Sequence, residues 1–310
     1  MQIYLPIAEI PVNILVILSL GLLTGILAGI FGIGGGFLAT PLLMFIGIPP
    51  AIAVSTSANQ ITASSISGLL THLKRGAVDI KMGITLLVGG FAGSLIGVWI
   101  FGILQKIGQI DLVVSMVYVI FLGSIGVLML IDSSKTLLQT KFSISAKQSK
   151  KVGFIERMVK KSENLPYQTY FAKSDITTSI LLPIILGILV GTLVSIMGIG
   201  GGFIMIPAMV YILKMPSNII VGTSLFQIVF IAGNVTFLQA YSNHNVDVVL
   251  AFLMIISSVI GAQIGSRIGY KIDANNLKSL LSILILGVCI KMIGNLFVAP
   301  ESLYSIELLK

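Results

Sequence analysis

The sequence predicts an all-α integral membrane protein of about eight transmembrane helices, arranged as two homologous four-span repeats, each with a glycine-broken first helix. Three observations predict it. Only 10% of the 310 residues are charged and the mean hydropathy is +1.06, whereas an ordinary soluble domain carries about 25% charged residues. No charged residue lies between Glu9 and His72, from Ile176 to Leu213, or from Val248 to Ser266, and about 20 apolar residues suffice for one crossing. Finally, Gly32-Ile-Gly-Gly-Gly-Phe37 recurs as Gly198-Ile-Gly-Gly-Gly-Phe203.

In chain order, span 1 is expected over Val12 to Phe31, followed by a glycine break and a short apolar piece to Ile48. Span 2, Ala51 to Leu73, is rich in Ser and Thr; span 3 runs from Lys81 to Leu104 and span 4 from Leu112 to Ile131. These form a first membrane repeat, 1–131. Residues 132–175 hold nine Lys or Arg against four Asp or Glu. They read as a basic cytoplasmic linker with a short surface helix near Val152 to Val159. The second repeat, 176–310, brings span 5 (Thr177 to Met197, with its own break and a piece to Leu213), span 6 (Ser217 to Tyr241), span 7 (Val246 to Tyr270) and span 8 (Leu277 to Val298). No Lys or Arg precedes the first apolar stretch, so that stretch reads as a permanent span, not a cleaved signal.

The repeat extends beyond the glycines. Pro41 recurs as Pro207, Pro50 as Pro216, Val54-Ser-Thr-Ser57 as Val221-Gly-Thr-Ser224, Gln60 as Gln227, and Val78-Asp79 as Val246-Asp247. Gly93 and Gly97 recur as Gly261 and Gly265, and the offset drifts only from 166 to 168 residues. Transporters often hold substrate near mid-membrane between two such repeats.

Charge limits topology as well as partners. The net charge of +8 sits largely in the linker, which the positive-inside rule explains without nucleic acid. Lys74 and Arg75 agree with an inside linker, but Arg267, Lys271 and Lys278 then fall outside. A re-entrant glycine-broken segment, inverting one half, would remove that conflict.

The chemistry expected is binding, not catalysis. A glycine run breaks a helix, and in hydrocarbon the freed N–H and C=O groups must face protein or a wet cavity. The helix that restarts beyond the break would point unpaired donors at an anion. This makes Gly34, Gly35 and Gly36, with Gly200, Gly201 and Gly202, candidate substrate contacts. The alternative is close helix packing. Span 2 adds Thr56, Ser57 and Gln60, and span 6 adds Thr223, Ser224 and Gln227, neutral groups able to replace water around an oxyanion; interhelical hydrogen bonding is the plainer role. Asp79 and Asp247 read as N-caps, and Lys291 as a snorkelling charge. The Gly21/Gly25/Gly29, Gly89/Gly93/Gly97 and Gly261/Gly265/Gly269 stripes read as packing faces. One cysteine, Cys289, excludes an internal disulfide. Two histidines form no ligand pair, no Gly-x-Ser-x-Gly element occurs, and the glycine motif lacks the residues of a nucleotide cradle. No catalytic residue, cofactor or metal is expected.

At Gly-Ile-Gly-Gly-Gly with Pro41-Leu-Leu, Val54-Ser-Thr-Ser57, His72-Leu-Lys-Arg-Gly-Ala-Val-Asp79 and their second copies, the chain resembles the sulfite exporter TauE/SafE family. The resemblance covers nearly everything outside the linker. It implies about eight spans, a bacterial cell inner-membrane location, and transport of small anions such as sulfite and organosulfonates. The second copy departs by placing Ser242 and Asn243 where Lys74 and Arg75 stand. The function expected is a secondary transporter or exporter working through a central site, with the lipid bilayer and a small anion as partners and a homodimer as candidate assembly. A passive anion channel and a non-transporting scaffold are the alternatives.

Overall fold

A computed structural model describes residues 2–31, 36–142, 166–269 and 274–297. One order of elements occurs twice. A hairpin of β1 (Gln2–Leu5) and β2 (Ile10–Asn13) leads into α1 (Ile14–Phe31), the short α2 (Gly36–Phe45), then α3 (Pro50–Lys74), α4 (Ile80–Lys106) and α5 (Ile110–Phe142). A second hairpin, β3 (Gln168–Phe171) with β4 (Ile176–Ser179), leads into α6 (Leu181–Met197), the short α7 (Gly202–Tyr211), α8 (Ser217–Leu238), α9 (Val248–Gly269) and α10 (Ala274–Phe297). The segment read as linker is thus structured at both ends: α5 continues to Phe142 and β3 begins at Gln168. The surface helix expected near 152–159 lies outside the described residues.

Both hairpins pair antiparallel, Gln2 opposite Asn13 and Gln168 opposite Ser179. Their turns match in detail. Glu9 and Asp175 both take positive φ (55° and 49°), and Leu5 and Phe171 are fully buried at equivalent strand ends.

Where the hairpins sit defines the architecture. Helix α4 has 27 residues and is about 40 Å from end to end; at its start, Lys81 Nζ donates to the Tyr170 carbonyl (3.0 Å) and Ser174 Oγ donates to Asp79 Oδ2 (2.5 Å).

 At the far end of α4, Gln105 and Asn245 exchange two side-chain hydrogen bonds (2.9 and 2.8 Å). Two residues on, Asp247 Oδ2 accepts from the turn amides of the first hairpin, Ile7 (3.0 Å) and Ala8 (3.4 Å). The hairpins therefore cap opposite ends of the bundle. Connectivity then fixes the broken pairs. Helix α1 starts at the first-hairpin end, and α2 hands over to α3, which starts at that same end. Helices α6 and α7 likewise leave and return to the second-hairpin end.

The halves interlock. Helix α1 lies along α9 and α6 along α4, each pair running in the same direction, while α3 crosses α8 and α5 packs on α10. The glycine stripes are the contact faces. A Cβ on Gly25 would stand 2.2 Å from the Ser258 carbonyl oxygen, and one on Gly93 2.1 Å from that of Ile188. Such distances leave room for hydrogen only, so the backbones touch as the stripes predict. The outer faces are apolar. On α9 the exposed residues Val248, Phe252, Ile256, Ile260, Ile264 and Ile268 recur every fourth position, a ridge suited to lipid and not to water. Four described segments are long and apolar enough to cross a membrane: Ile80–Lys106, Ile110–Val127, Asn218–Asn243 and Val248–Gly265.

Candidate substrate-binding site

The second glycine motif is a real break. Helix α6 stops at Met197 because Gly198 turns left-handed (φ 66°), and Gly200 and Gly201 follow at φ 78° and 72°. Three such residues in four suit glycine and almost nothing else. Tyr118 Oη closes the end of α6 by donating to the Met197 carbonyl (2.5 Å). Helix α7 restarts at Gly202, with the Met205 amide on the Gly201 carbonyl (2.8 Å) and no side-chain cap. Gly201 and Gly202 are buried, so the donors at this start are shielded from solvent. In the first motif, α1 ends at Phe31 and α2 begins at Gly36; Gly34 and Gly35 lie outside the described residues.

The two motifs meet. Phe37 and Phe203, at equivalent positions, stack with centroids 4.8 Å apart and planes 8° from parallel. A Cβ on Gly36 would stand 3.2 Å from the Ile199 carbonyl oxygen. Ile61, from near the middle of α3, reaches both: its side chain would collide with a Cβ on Gly36 (1.8 Å) or on Gly200 (2.5 Å).

The polar candidates divide by what they bond. Thr56 Oγ1 accepts from the Asp247 amide (3.4 Å) and Thr223 Oγ1 from the Asp79 amide (2.9 Å). Each threonine thus anchors the start of a helix in the other half. Asp79 and Asp247 are N-caps as expected, accepting from Met82 and Leu250 (3.0 Å each). Ser224 Oγ donates to the Val221 carbonyl (2.9 Å). The remainder are unsatisfied: Ser57 Oγ, Gln60 Oε1 and both amide atoms of Gln227 are buried with no hydrogen-bond partner.

Gln60 and Gln227 differ for a legible reason. Gln60 Nε2 donates to Thr24 Oγ1 (2.8 Å), whose own proton goes to the Leu20 or Gly21 carbonyl. At the position equivalent to Thr24 the second half has Val190, so Gln227 has no hydroxyl to use. Leaving a buried amide unpaired costs about 1–3 kcal/mol, which a polar ligand would recover. Sequence reasoning named the glutamines but not Thr24; its position three residues after Gly21, on a helix whose only other hydroxyl is Ser19, was the available signal. A separate cavity of about 240 Å³, lined by Phe45, Pro49, Ser115 and Met292 among others, contains none of the candidate residues.

Apolar outer faces around buried, broken helices with unsatisfied polar groups define a multi-pass membrane protein of the transporter class. A family model described as Sulfite exporter TauE/SafE matches residues 17–292, and the chain belongs to that family. It is 25% identical over 282 residues to the probable membrane transporter protein YunE of Bacillus subtilis, covering 88% of this chain and 95% of that one. It is 30% identical over 294 residues to the probable membrane transporter protein MJ0441 of Methanocaldococcus jannaschii, covering 88% and 92%. A 109-residue stretch is 31% identical to Sulfite exporter TauE/SafE family protein 1 of Arabidopsis thaliana, covering 35% of this chain and 24% of that one. No solved structure matches.

Proposed function

We propose that the chain is a secondary transporter of small anions, of the sulfite or organosulfonate class, in a bacterial inner membrane. Its two repeats insert with opposite orientation. Of eight membrane segments, six cross the bilayer, and the two glycine-broken pairs, α1–α2 and α6–α7, re-enter from opposite faces and meet midway. Half-helix starts aimed at a central anion are a recurrent transporter device. The observations that carry this reading are the left-handed glycine break at 198–201 and the buried, unpaired Gln227 amide. Gly200, Gly201 and Gly202, their first-half counterparts Gly34, Gly35 and Gly36, and Ser57, Gln60 and Gln227 would supply neutral contacts. Thr56, Thr223 and Ser224 would hold the frame.

Among residues with described side chains, Lys74, Arg75, Lys81, Lys173, Lys214 and Arg267 belong to the second-hairpin end, against Lys106 and Lys291 at the other. The positive-inside rule supports a cytoplasmic second-hairpin end. The test is flux in proteoliposomes loaded with sulfite or a short alkyl sulfonate. Saturable flux is expected, with Gln227→Leu lowering it about tenfold, the equivalent of one lost hydrogen bond of about 1.4 kcal/mol. Absence of flux for every anion in the wild type would overturn the reading.

A further inference from the structure

The two halves are not chemically equal along the helices that flank their breaks. Beyond Gln227, towards the first-hairpin end, α8 carries a chain of neutral polar contacts. Asn234 Nδ2 donates to Ser94 Oγ on α4 (2.7 Å), and Ser195 Oγ on α6 donates to the Ser94 carbonyl (3.2 Å). Gln239 Nε2 donates to the Ser195 carbonyl (3.4 Å), and Asn243 Nδ2 to Gln239 Oε1 (2.6 Å). The Gln105–Asn245 pair closes the series at the end of the bundle. Gly90 and Gly102 leave α4 bare beside it: a Cβ on Gly90 would lie 3.6 Å from Gln227 Nε2, and one on Gly102 2.8 Å from Asn243 Oδ1.

The other half builds this flank differently: on α3 the Thr62 and Thr71 hydroxyls donate to carbonyls of their own helix. Ala262 stands for Ser94, Gly29 for Ser195 and Ser67 for Asn234. Local backbone differs too. Residues Gln239–Asn243 form a π-helical turn, which holds one residue more than an α-turn. It accounts for the repeat offset growing from 167 at Gln227 to 168 at Val246. Helix α3 has no such turn. π-Turns concentrate at functional positions, where they re-aim side chains.

We propose that the anion moves between the central site and the first-hairpin face along this strip, between α4, α6 and α8. The inference rests on the transport reading above. Neutral amides and hydroxyls exchange hydrogen bonds with a passing anion without trapping it, as fixed cations would.

The test uses full-length protein with Cys289→Ser, in cells, and a membrane-impermeant thiol reagent. Asn234→Cys and Ser195→Cys are compared with Leu95→Cys and Phe237→Cys, which face outward beside the strip on α4 and α8, each confirmed as folded by its elution from a sizing column. Modification at 234 and 195 is expected at least about tenfold faster than at 95 and 237, and slowed by saturating sulfite. Equal rates at the two pairs, faster modification at 95 and 237, or no modification at 234 and 195 would overturn the proposal. Ser94→Ala, a small change, supplies a second readout: flux should fall severalfold, while Leu95→Ala on the outer face of α4 leaves it unchanged. Labelling does not depend on flux, so failure of the route and failure of the transport reading are separable.

Discussion

Asp79 and Asp247 do more than cap. Each carboxylate accepts from its own helix and from the hairpin turn of the opposite half, while its amide donates to a threonine of that half. The Val-Asp and Thr-Ser motifs, far apart in sequence, are therefore one contact made twice. The sequence gives the cap from a single residue type before a helix, but not the threonine partner, because nothing local encodes a bond between residues 144 or 191 apart. Asp247→Ala should lose the cap, worth about 1–2 kcal/mol, and leave the Ile7 and Ala8 amides unpaired. The expected outcome is a clearly lower unfolding temperature in detergent, with Asp247→Asn much closer to wild type. Equal effects of the two substitutions would contradict this role.

At the scale of elements, the long helices and the breaks were readable because hydropathy and glycine runs report directly on burial and backbone freedom. Helix α1 ends at Phe31 and α6 at Met197, where the glycine motifs begin. The hairpins were not readable. Four-residue strands such as Gln168–Phe171 are too short to show a period, and their buried ends depend on partners in the other half. Glycine stripes were assigned to packing, and Gly93 against Ile188 bears this out. Gly93→Leu should force α4 from α6 and prevent assembly, seen as loss of the monodisperse species in detergent. At Gly201, both the φ of 72° and a Cβ 2.9 Å from Val190 oppose substitution, so Gly201→Ala should reduce flux more than it reduces expression.

Across the whole molecule, the charge conflict in the sequence has a geometric answer. Counting every hydrophobic segment as a crossing puts Arg267 outside, whereas broken pairs that return to their own end invert the second half and bring Arg267 to the same end as Lys74 and Arg75. Composition alone could not choose, because a re-entrant pair and a crossing have the same hydropathy. The direct measurement is two-sided labelling of the exposed hairpin tips, with Glu9→Cys and Lys173→Cys introduced separately into a Cys289→Ser background. An impermeant maleimide added outside intact cells should modify the position 9 variant and spare the position 173 variant until the membrane is opened. Modification of both from the same side would contradict opposed halves, and with them the shared central site.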